Sequence, residues 1–386
     1  MRGVARRVLL LAGAIAIAFV AVNLGAVALL RLRDRREMNS FPPVARSEVF
    51  RNQPWGMDYW RDWRAGCRLP DRLRYIGDGV WHLHPFRSRT INIGEDGLRR
   101  TENCDCRDGA PRIAMFGGSM LWGHGVPDGL TIPSLLAARF LRDGHSVCVR
   151  NYGEWGSNAH NAMFELLREI RDPARRPDIV ILYAGVYEVK EQLFRSVGLR
   201  GSEIDAAIGE GERARKSVSW VESLPLMRLI RRSGNRFQTL TLSEAAAAAA
   251  GTSAAREVSE VRRQLEALGA VHRFTSIVIW HPYAIAGGKP LSREERENAD
   301  DVARSLPALK AAIEQAYGEM RRHREAGFYD LSDAFAGHPE RLYIDAVHLT
   351  PAGNAIVADR IYAIVRSALS PNASLRTAEE APRSGK

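Results

Sequence analysis

From residue 111 onward, short apolar runs alternate with longer stretches of helical periodicity. The apolar runs predict five strands, at residues 112–116, 146–151, 178–183, 275–280 and 327–331. The periodic stretches predict helices at about 131–143, 159–171, 253–268, 293–325 and 351–368. Apolar strands joined by helices are typical of a parallel sheet covered on both faces. The pattern therefore predicts an α/β protein, a three-layer α/β/α sandwich with a flavodoxin-like, parallel five-stranded sheet.

The N-terminal part of the chain has a continuous apolar run, residues 8–30, in which Asn23 is the one strongly polar side chain. A helix of this length spans the roughly 30 Å hydrocarbon core of a bilayer. We expect residues 1–37 to form a transmembrane anchor with basic flanks; the alternative is a cleaved signal peptide, whose apolar core is usually about 7–15 residues long. Arginines flank the run on both sides, but a short cationic leader before one apolar helix favours a cytoplasmic N-terminus. The expected location is the inner membrane, single-pass, with the remainder of the chain periplasmic or otherwise extracytoplasmic.

The rest of the chain divides by composition into three parts, one of which contains an insertion. Residues 111–369 form one predicted domain, and residues 38–110, rich in Trp, Arg, Gly and Pro, predict an N-terminal extension packed on it. Residues 195–252 end in an alanine run and are too long for an ordinary connection, so they predict an insertion within the domain. Residues 370–386 are polar and predict a flexible tail.

Aromatic side chains recur at nearly helical spacing within the extension, at Trp55, Tyr59, Trp60 and Trp63. Such spacing predicts a short amphipathic helix. Packing of this helix on the domain or at the membrane interface is favoured over a platform that stacks sugars.

The formal net charge of +10 is concentrated near the N-terminus, where residues 1–37 contain seven arginines and two acidic residues. The remaining excess is spread too thinly to form a groove for a polyanion. We therefore expect a membrane contact through residues 8–30 and no nucleic-acid partner. Oligomerisation has no signal in the sequence.

The four cysteines are too few to identify a disulfide scaffold or a compartment. Cys148 lies in an apolar run and is expected to be buried, whereas Cys67 could form a disulfide with Cys104 or Cys106 if the domain is exported. The alternative is a metal site built from two pairs with one-residue spacing, His82-x-His84 and Cys104-x-Cys106. This spacing is unlike the usual zinc patterns, so we expect no metal.

A serine directly follows the first predicted strand of the domain. The strand ends at Phe116, and Gly117, Gly118 and Ser119 follow it. Ligands of open α/β sheets bind at the carboxyl ends of the strands, which is where a nucleophile would lie. The glycines permit a sharp turn and close approach of a substrate, and the Ser119 amide can face an oxyanion. Gly-Gly-Ser is by itself also an ordinary turn, so the assignment depends on a partner elsewhere.

That partner is an acid and a base three residues apart, Asp345 and His348. The segment continues into Thr350 and Pro351, a favourable N-cap and first residue for the last predicted helix. In such a turn the carboxylate can hold one ring nitrogen of His348 as a donor and leave the other to accept the proton of Ser119. The alternative is a turn-capping Asp345 beside a surface histidine, and the strand-end serine in the same α/β frame makes it the weaker interpretation.

These segments resemble the sequence blocks of the SGNH (GDSL-like) hydrolase superfamily, and in particular its bacterial membrane-anchored members. Residues 116–119 resemble the nucleophile block in a variant with Gly in place of the more frequent Asp, and Asp345-x-x-His348 resembles the last block. Asn151-Tyr152-Gly153 resembles the second block, which implies that the Gly153 amide is an oxyanion donor beside that of Ser119. The segment 85–101 resembles the lead-in of those members, and the likeness extends over about residues 85–368 without the insertion.

One block departs from the superfamily pattern. Where the superfamily has Gly-x-Asn-Asp, residues 185–188 are Gly-Val-Tyr-Glu, so one side-chain donor of the oxyanion hole is missing. Loss of such a donor costs about 10²–10³ in rate. The hydroxyl of Tyr187 and the side chain of Asn158 are the two candidates to replace it. Three other residues near Ser119 could line the acyl pocket or simply pack the loop: Trp122, His124 and Trp155.

The resemblance implies a serine esterase that hydrolyses acyl esters, chiefly O-acetyl esters of an envelope saccharide, without a metal or an organic cofactor. Two other functions stay open at this point. The same residues could serve an O-acyltransferase that passes the acyl group to a saccharide hydroxyl. A non-catalytic envelope scaffold is favoured by Tyr187 and the insertion, but it gives no chemical reason to keep Ser119, Asp345 and His348 together.

Overall fold

The computed structural model describes residues 2–39, 43–67, 72–77, 80–107, 109–197, 225–226, 242–323 and 325–369. The strands within these ranges are β1 (Leu73–Gly77), β2 (Val80–Leu83), β3 (Phe86–Arg87), β4 (Asn92–Ile93), β5 (Arg112–Gly117), β6 (Cys148–Gly153), β7 (Ile179–Ala184), β8 (Thr275–Trp280) and β9 (Phe328–Asp330). The last five form one sheet in the order β6-β5-β7-β8-β9, and every pair in that order is parallel. The predicted flavodoxin-like sheet is therefore confirmed, and each predicted strand lies within two residues of its observed position.

Helices cover both faces of this sheet. In chain order the α-helices are α1 (Arg2–Asn39), α2 (Glu48–Arg51), α3 (Gly56–Gly66), α4 (Ser119–Trp122), α5 (Ile132–Arg142), α6 (Ala159–Arg171), α7 (Val186–Ser196), α8 (Glu244–His272), α9 (Arg293–Ser305), α10 (Pro307–Met320) and α11 (Pro351–Leu369). Short 3-10 helices add Pro43–Arg46 and Asp128–Leu130.

Alternate residues of each buried strand face opposite layers, as the period of two requires. In β5, Ala114 and Phe116 pack with α6, α7, α8 and α10, whereas Ile113 and Met115 pack with α5 and α11. Both faces of the central strands are therefore buried from solvent, which explains why these strands are continuously apolar in the sequence.

Two helices differ from the sequence-based expectation. The alanine run does not end an excursion, because α8 begins at Glu244 and buries Ala247, Ala250 and Ala254 against the domain. The single helix expected over 293–325 is two helices, since Pro307 cannot continue α9 and instead begins α10. The predicted tail 370–386 and most of the predicted insertion lie outside the described residues.

Helix α1 contains a segment, Gly13–Leu32, that is long and apolar enough to cross a membrane, with a mean hydropathy of 2.3. Within the described ranges it is the one helix with this property, and 6% of it is buried. By length and composition it fits either a membrane span or a signal sequence.

The N-terminal extension forms a third core against the domain. Phe50, Tyr59 and Trp60 of the extension are fully buried and pack with Trp122 and Ile344 of the domain. The aromatic residues near helical spacing do form a helix, α3, and it packs on the domain. Because Trp122 follows Ser119 by three residues and Ile344 precedes Asp345, this third core lies directly beside the predicted catalytic residues.

The expected pairing of Cys67 is wrong. The disulfide joins Cys106 to Cys148, while Cys67 is a free, buried thiol whose pKa is raised to about 12 by burial. The reason is that the segment before β5 runs beside β6, where the Val149 amide donates to Cys104 Sγ at 3.0 Å. Register therefore places residue 106, and not residue 67, next to Cys148.

Arg99 of the extension is fully buried inside the loop that follows the predicted nucleophile. Its guanidinium is paired with Asp128 at 2.9 Å, and it donates to three backbone oxygens, those of Trp122, Gly123 and Val126. Gly123 has φ +95° and its missing Cβ leaves room for this guanidinium. The guanidinium thereby donates hydrogen bonds to three buried carbonyl oxygens that, in the described part of the chain, accept none from the backbone of a helix or a strand.

Substitution of Arg99 by Met is expected to lower the free energy of unfolding by about 3–5 kcal/mol, because the Asp128 carboxylate loses its buried counter-charge and three carbonyls each lose a hydrogen bond. Urea-induced unfolding measures this change. Arg61→Met is the matched control, since it breaks an exposed ion pair with Asp58 and should have little effect. Equal stability of the two variants would show that the Arg99 network does not hold the fold together.

Candidate active site

Ser119 begins α4 immediately after β5, at the carboxyl edge of the sheet. The side chain is 2% exposed, and as the first residue of the helix its amide has no partner within the helix. The close approach of α4 to β6 depends on Gly153, where a Cβ would lie 2.3 Å from the Trp122 nitrogen. A side chain at residue 153 would thus displace the helix that carries Ser119.

His348 lies in a turn closed by its own segment. The Ile344 amide donates to the His348 carbonyl oxygen at 2.8 Å, and Asp345 Oδ1 accepts from the amides of Val347 and His348, both at 2.8 Å. Thr350 caps α11 by accepting from the Gly353 amide at 3.2 Å. The turn therefore fixes the acid and the base relative to the same helix end.

A continuous hydrogen-bonded chain joins the three residues predicted as catalytic. Ser119 Oγ lies 2.7 Å from His348 Nε2, and His348 Nδ1 lies 2.8 Å from Asp345 Oδ2. Because a carboxylate only accepts, Nδ1 carries the proton and Nε2 accepts from the serine hydroxyl. Removal from water opposes ionisation of Asp345, but attraction to His348 and the three hydrogen bonds hold the pKa of Asp345 well below its ordinary value.

The Tyr187 hydroxyl is also in contact with the nucleophile, 2.8 Å from Ser119 Oγ. Burial raises the pKa of Tyr187, so the hydroxyl keeps its proton. Since the Ser119 hydroxyl donates to His348, Tyr187 donates to Ser119 Oγ. A Cβ on Gly118 would lie 2.4 Å from the Tyr187 ring, which explains why glycine is needed there. The residue found in place of the superfamily's Asn therefore offers a donor at the same centre.

The other two expected oxyanion donors are already occupied. The Gly153 amide donates to Asn151 Oδ1 at 2.9 Å, because an Asn side chain two residues earlier competes for the backbone. Asn158 is the N-cap of α6: it accepts from the Asn161 amide and its own amide group donates to Glu191. Gly153 and Asn158 would therefore have to give up these hydrogen bonds to bind an oxyanion, whereas the Tyr187 hydroxyl already lies at Ser119 Oγ.

Two buried polar residues, Glu188 and His281, hold Tyr187 in place. Glu188 accepts from the amides of Gly185 and Ala159, at 2.6 and 2.9 Å, and burial raises its pKa to about 7. His281 Nε2 accepts from the Val186 amide at 3.1 Å, and burial lowers the pKa of His281 to about 3. Both residues act on the turn before α7, so they position Tyr187 without touching Ser119.

The residues considered for a metal do not converge on one site. Cys106 forms a disulfide with Cys148. His82 is buried between other partners: its Nδ1 lies 2.7 Å from the Asp96 carbonyl oxygen and its Nε2 lies 3.3 Å from a Glu165 oxygen. Burial opposes protonation of His82, but Glu165 and Glu154 outweigh it and raise the pKa of His82 to about 9. Protonated His82 thus forms an ion pair with Glu165 that connects the β1–β2 hairpin to α6.

Two groups in the described part of the chain have ligand atoms close together: Cys104, Cys106 and Cys148, of which the last two form the disulfide, and His160, Glu191 and Glu257. His160 Nδ1 lies 2.7 Å from Glu257, and the two carboxylates are also hydrogen-bonded to Arg195 and Gln192. These contacts form a surface ion-pair network around α6, α7 and α8.

No protein-family model and no curated protein matches the chain. Solved structures with a similar fold include an acetyl xylan esterase, at 15% identity and a TM-score of 0.35, covering 66% of this chain and 99% of the other. A lipolytic protein of the G-D-S-L family from Veillonella parvula matches at 12% identity and a TM-score of 0.32, covering 66% and 97%. A lipase/acylhydrolase from Enterococcus faecalis matches at 14% identity and 0.34, covering 68% and 98%.

Tyr187→Phe tests whether the hydroxyl is a functional donor. We expect kcat for p-nitrophenyl acetate to fall about 10²–10³-fold with a small change in KM, as for loss of one donor to a developing oxyanion. The matched control is Tyr183→Phe, which removes a buried hydroxyl that has no hydrogen-bond partner among the described residues. Wild-type kcat in Tyr187→Phe would exclude the hydroxyl from the oxyanion hole.

Proposed function

We propose that the protein is a serine esterase in which Ser119 attacks the carbonyl carbon of an acyl ester. The observation that carries the proposal is the hydrogen-bonded chain Ser119–His348–Asp345 at the carboxyl edge of the sheet. A nucleophile bonded to a base, which is in turn oriented by an acid, is the arrangement that activates a serine hydroxyl. A binding scaffold would have no use for this chain of contacts.

The reaction proceeds in two halves. Ser119 Oγ bonds to the carbonyl carbon while its proton passes to His348 Nε2, and the ionised Asp345 stabilises the imidazolium. The Ser119 amide and the Tyr187 hydroxyl donate to the oxyanion. His348 then gives the proton to the departing alcohol oxygen, which leaves an acyl group on Ser119. In the second half His348 Nε2 takes a proton from water while the water oxygen bonds to the acyl carbon. The bond from that carbon to Ser119 Oγ then breaks, His348 returns the proton to Ser119 Oγ, and the acid is released.

The substrate that fits this proposal is an acyl ester, chiefly an O-acetyl ester, of an envelope saccharide. Its support is the likeness of residues 116–119 and 345–348 to the blocks of exported esterases. The structurally similar acetyl xylan esterase acts, by its name, on an acetylated saccharide.

We further propose that α1 anchors the chain in the inner membrane, with the domain outside the cytoplasm. The apolar segment Gly13–Leu32 supports an anchor. The Cys106–Cys148 disulfide supports an oxidising compartment for the domain, because such bonds persist mainly outside the cytosol.

The proposed function predicts that the full-length protein hydrolyses p-nitrophenyl acetate and that Ser119→Ala and His348→Ala each lower kcat at least about a thousandfold. The controls are Ser305→Ala and His145→Ala, which change the same residue types at exposed positions. Release of p-nitrophenolate measures the rate, and circular dichroism shows whether each variant is folded. Full activity in folded Ser119→Ala would contradict the mechanism.

A further inference from the structure

Four aromatic rings, here called the aromatic wall, lie together beside the catalytic histidine: Trp60, Trp63, His124 and Trp155. The ring of His124 contacts that of His348, with centroids 4.4 Å apart, and it contacts Trp155 at 4.7 Å and Trp60 at 5.5 Å. Trp63 stacks on Trp155 at 5.5 Å. The wall is therefore continuous from the extension to the proposed proton carrier.

The wall is assembled from separate parts of the chain. Trp60 and Trp63 belong to α3 of the extension, His124 follows α4, and Trp155 follows β6. Trp60 is 1% exposed, whereas Trp63, His124 and Trp155 are partly exposed. The wall thus has a buried base and an open side, as a binding surface requires.

Every ring of the wall carries a nitrogen without a partner. Among the described residues, the indole nitrogens of Trp60, Trp63 and Trp155 and the Nδ1 of His124 are buried and make no hydrogen bond. Buried polar atoms are nearly always paired, because an unmade hydrogen bond is costly. A ligand bound beside the proposed nucleophile would supply hydrogen-bond partners for this cluster.

The donors of the wall are uncharged. Burial lowers the pKa of His124 well below its ordinary value, so the ring is neutral beside His348. The cation that acts electrostatically on His124 is Arg99, which stacks on Trp122 and is paired with Asp128. Neutral indole N–H groups suit hydroxyl and ether oxygens, whereas a carboxylate or phosphate would need a free cation.

The position of the wall identifies which part of an ester it would meet. The oxyanion faces the Ser119 amide and the Tyr187 hydroxyl, while the departing alcohol oxygen must lie close to His348, from which it takes a proton. The wall touches His348 through His124, so it lies next to the residue that would give the alcohol its proton. Flat apolar faces with polar N–H edges complement a sugar ring, which has apolar C–H faces and a rim of oxygens.

We propose that the aromatic wall is the subsite for the alcohol part of the ester and that this alcohol is an uncharged, hydroxyl-rich ring of a saccharide. The inference rests on the proposed esterase function and adds the residues that would bind the saccharide and the requirement that its ring be uncharged.

The test uses the full-length protein and ethyl acetate, whose small alcohol does not reach across the wall. Hydrolysis is followed in a pH-stat with and without xylotriose, cellotriose, N,N′,N″-triacetylchitotriose or trigalacturonate. We expect at least one of the three neutral sugars to inhibit competitively and the charged sugar to have no effect. Trp63→Phe and Trp155→Phe should each raise the inhibition constant about tenfold, because each removes one hydrogen-bond donor.

Trp81→Phe is the matched control, since Trp81 packs on Tyr75 in the β1–β2 hairpin and is outside the wall. It should leave both hydrolysis and inhibition unchanged. Hydrolysis of ethyl acetate without inhibition by any neutral sugar would overturn the wall as a saccharide subsite while leaving the esterase intact. No hydrolysis by wild type would overturn the esterase itself. Wall variants with a lower melting temperature and an unchanged inhibition constant would show that the nitrogens serve packing, which also overturns the inference.

Discussion

The buried guanidinium of Arg99 is the interaction on which the candidate site depends. It neutralises Asp128 and ties down the carbonyls of Trp122, Gly123 and Val126, which belong to the loop that leaves the nucleophile helix. Without it, Asp128 would lose its buried counter-charge and three carbonyls would each lose a hydrogen bond, which would destabilise the packing of the loop in the third core. The extension is therefore part of the candidate site in a physical sense, since it supplies a charge that stabilises the conformation of the loop.

Around this constraint the site is built from two sources. The parallel sheet and the helix ends provide the reactive groups, because strand β5 delivers Ser119 to the carboxyl edge and the turn before α11 delivers His348 with Asp345. The extension provides the surroundings, through the rings of α3 and the hydroxyl of Tyr59, which accepts from the Gly125 amide at 2.6 Å. The proposed reactive groups thus come from the α/β domain, whereas the rings around them come partly from the extension. Substitutions in the domain should chiefly change the rate, and substitutions in the extension should chiefly change substrate binding.

The sequence predicts features that depend on local pattern. The strands and the positions of Ser119 and His348 relative to strand and helix ends follow from periodicity and turn chemistry. Features that depend on a choice between competing partners could not be predicted in this way. The Gly153 amide is captured by the Asn151 side chain, and Cys148 pairs with residue 106 because the register of β6 against the preceding segment brings them together. The contact between His124 and His348 required the packing of the whole extension, although the spacing of Trp60 and Trp63 did indicate their helix.

Covalent labelling tests directly whether Ser119 is an activated nucleophile, because labelling requires the activated hydroxyl and no knowledge of the substrate. The full-length protein would be incubated with diisopropyl fluorophosphate, and the adduct would be located by mass spectrometry of its peptides. We expect one adduct, on Ser119. It should be absent from the His348→Ala variant, because the base is needed to activate the hydroxyl. Folded wild-type protein that remains unlabelled, or that is labelled at another serine, would contradict the assignment of Ser119 as the nucleophile.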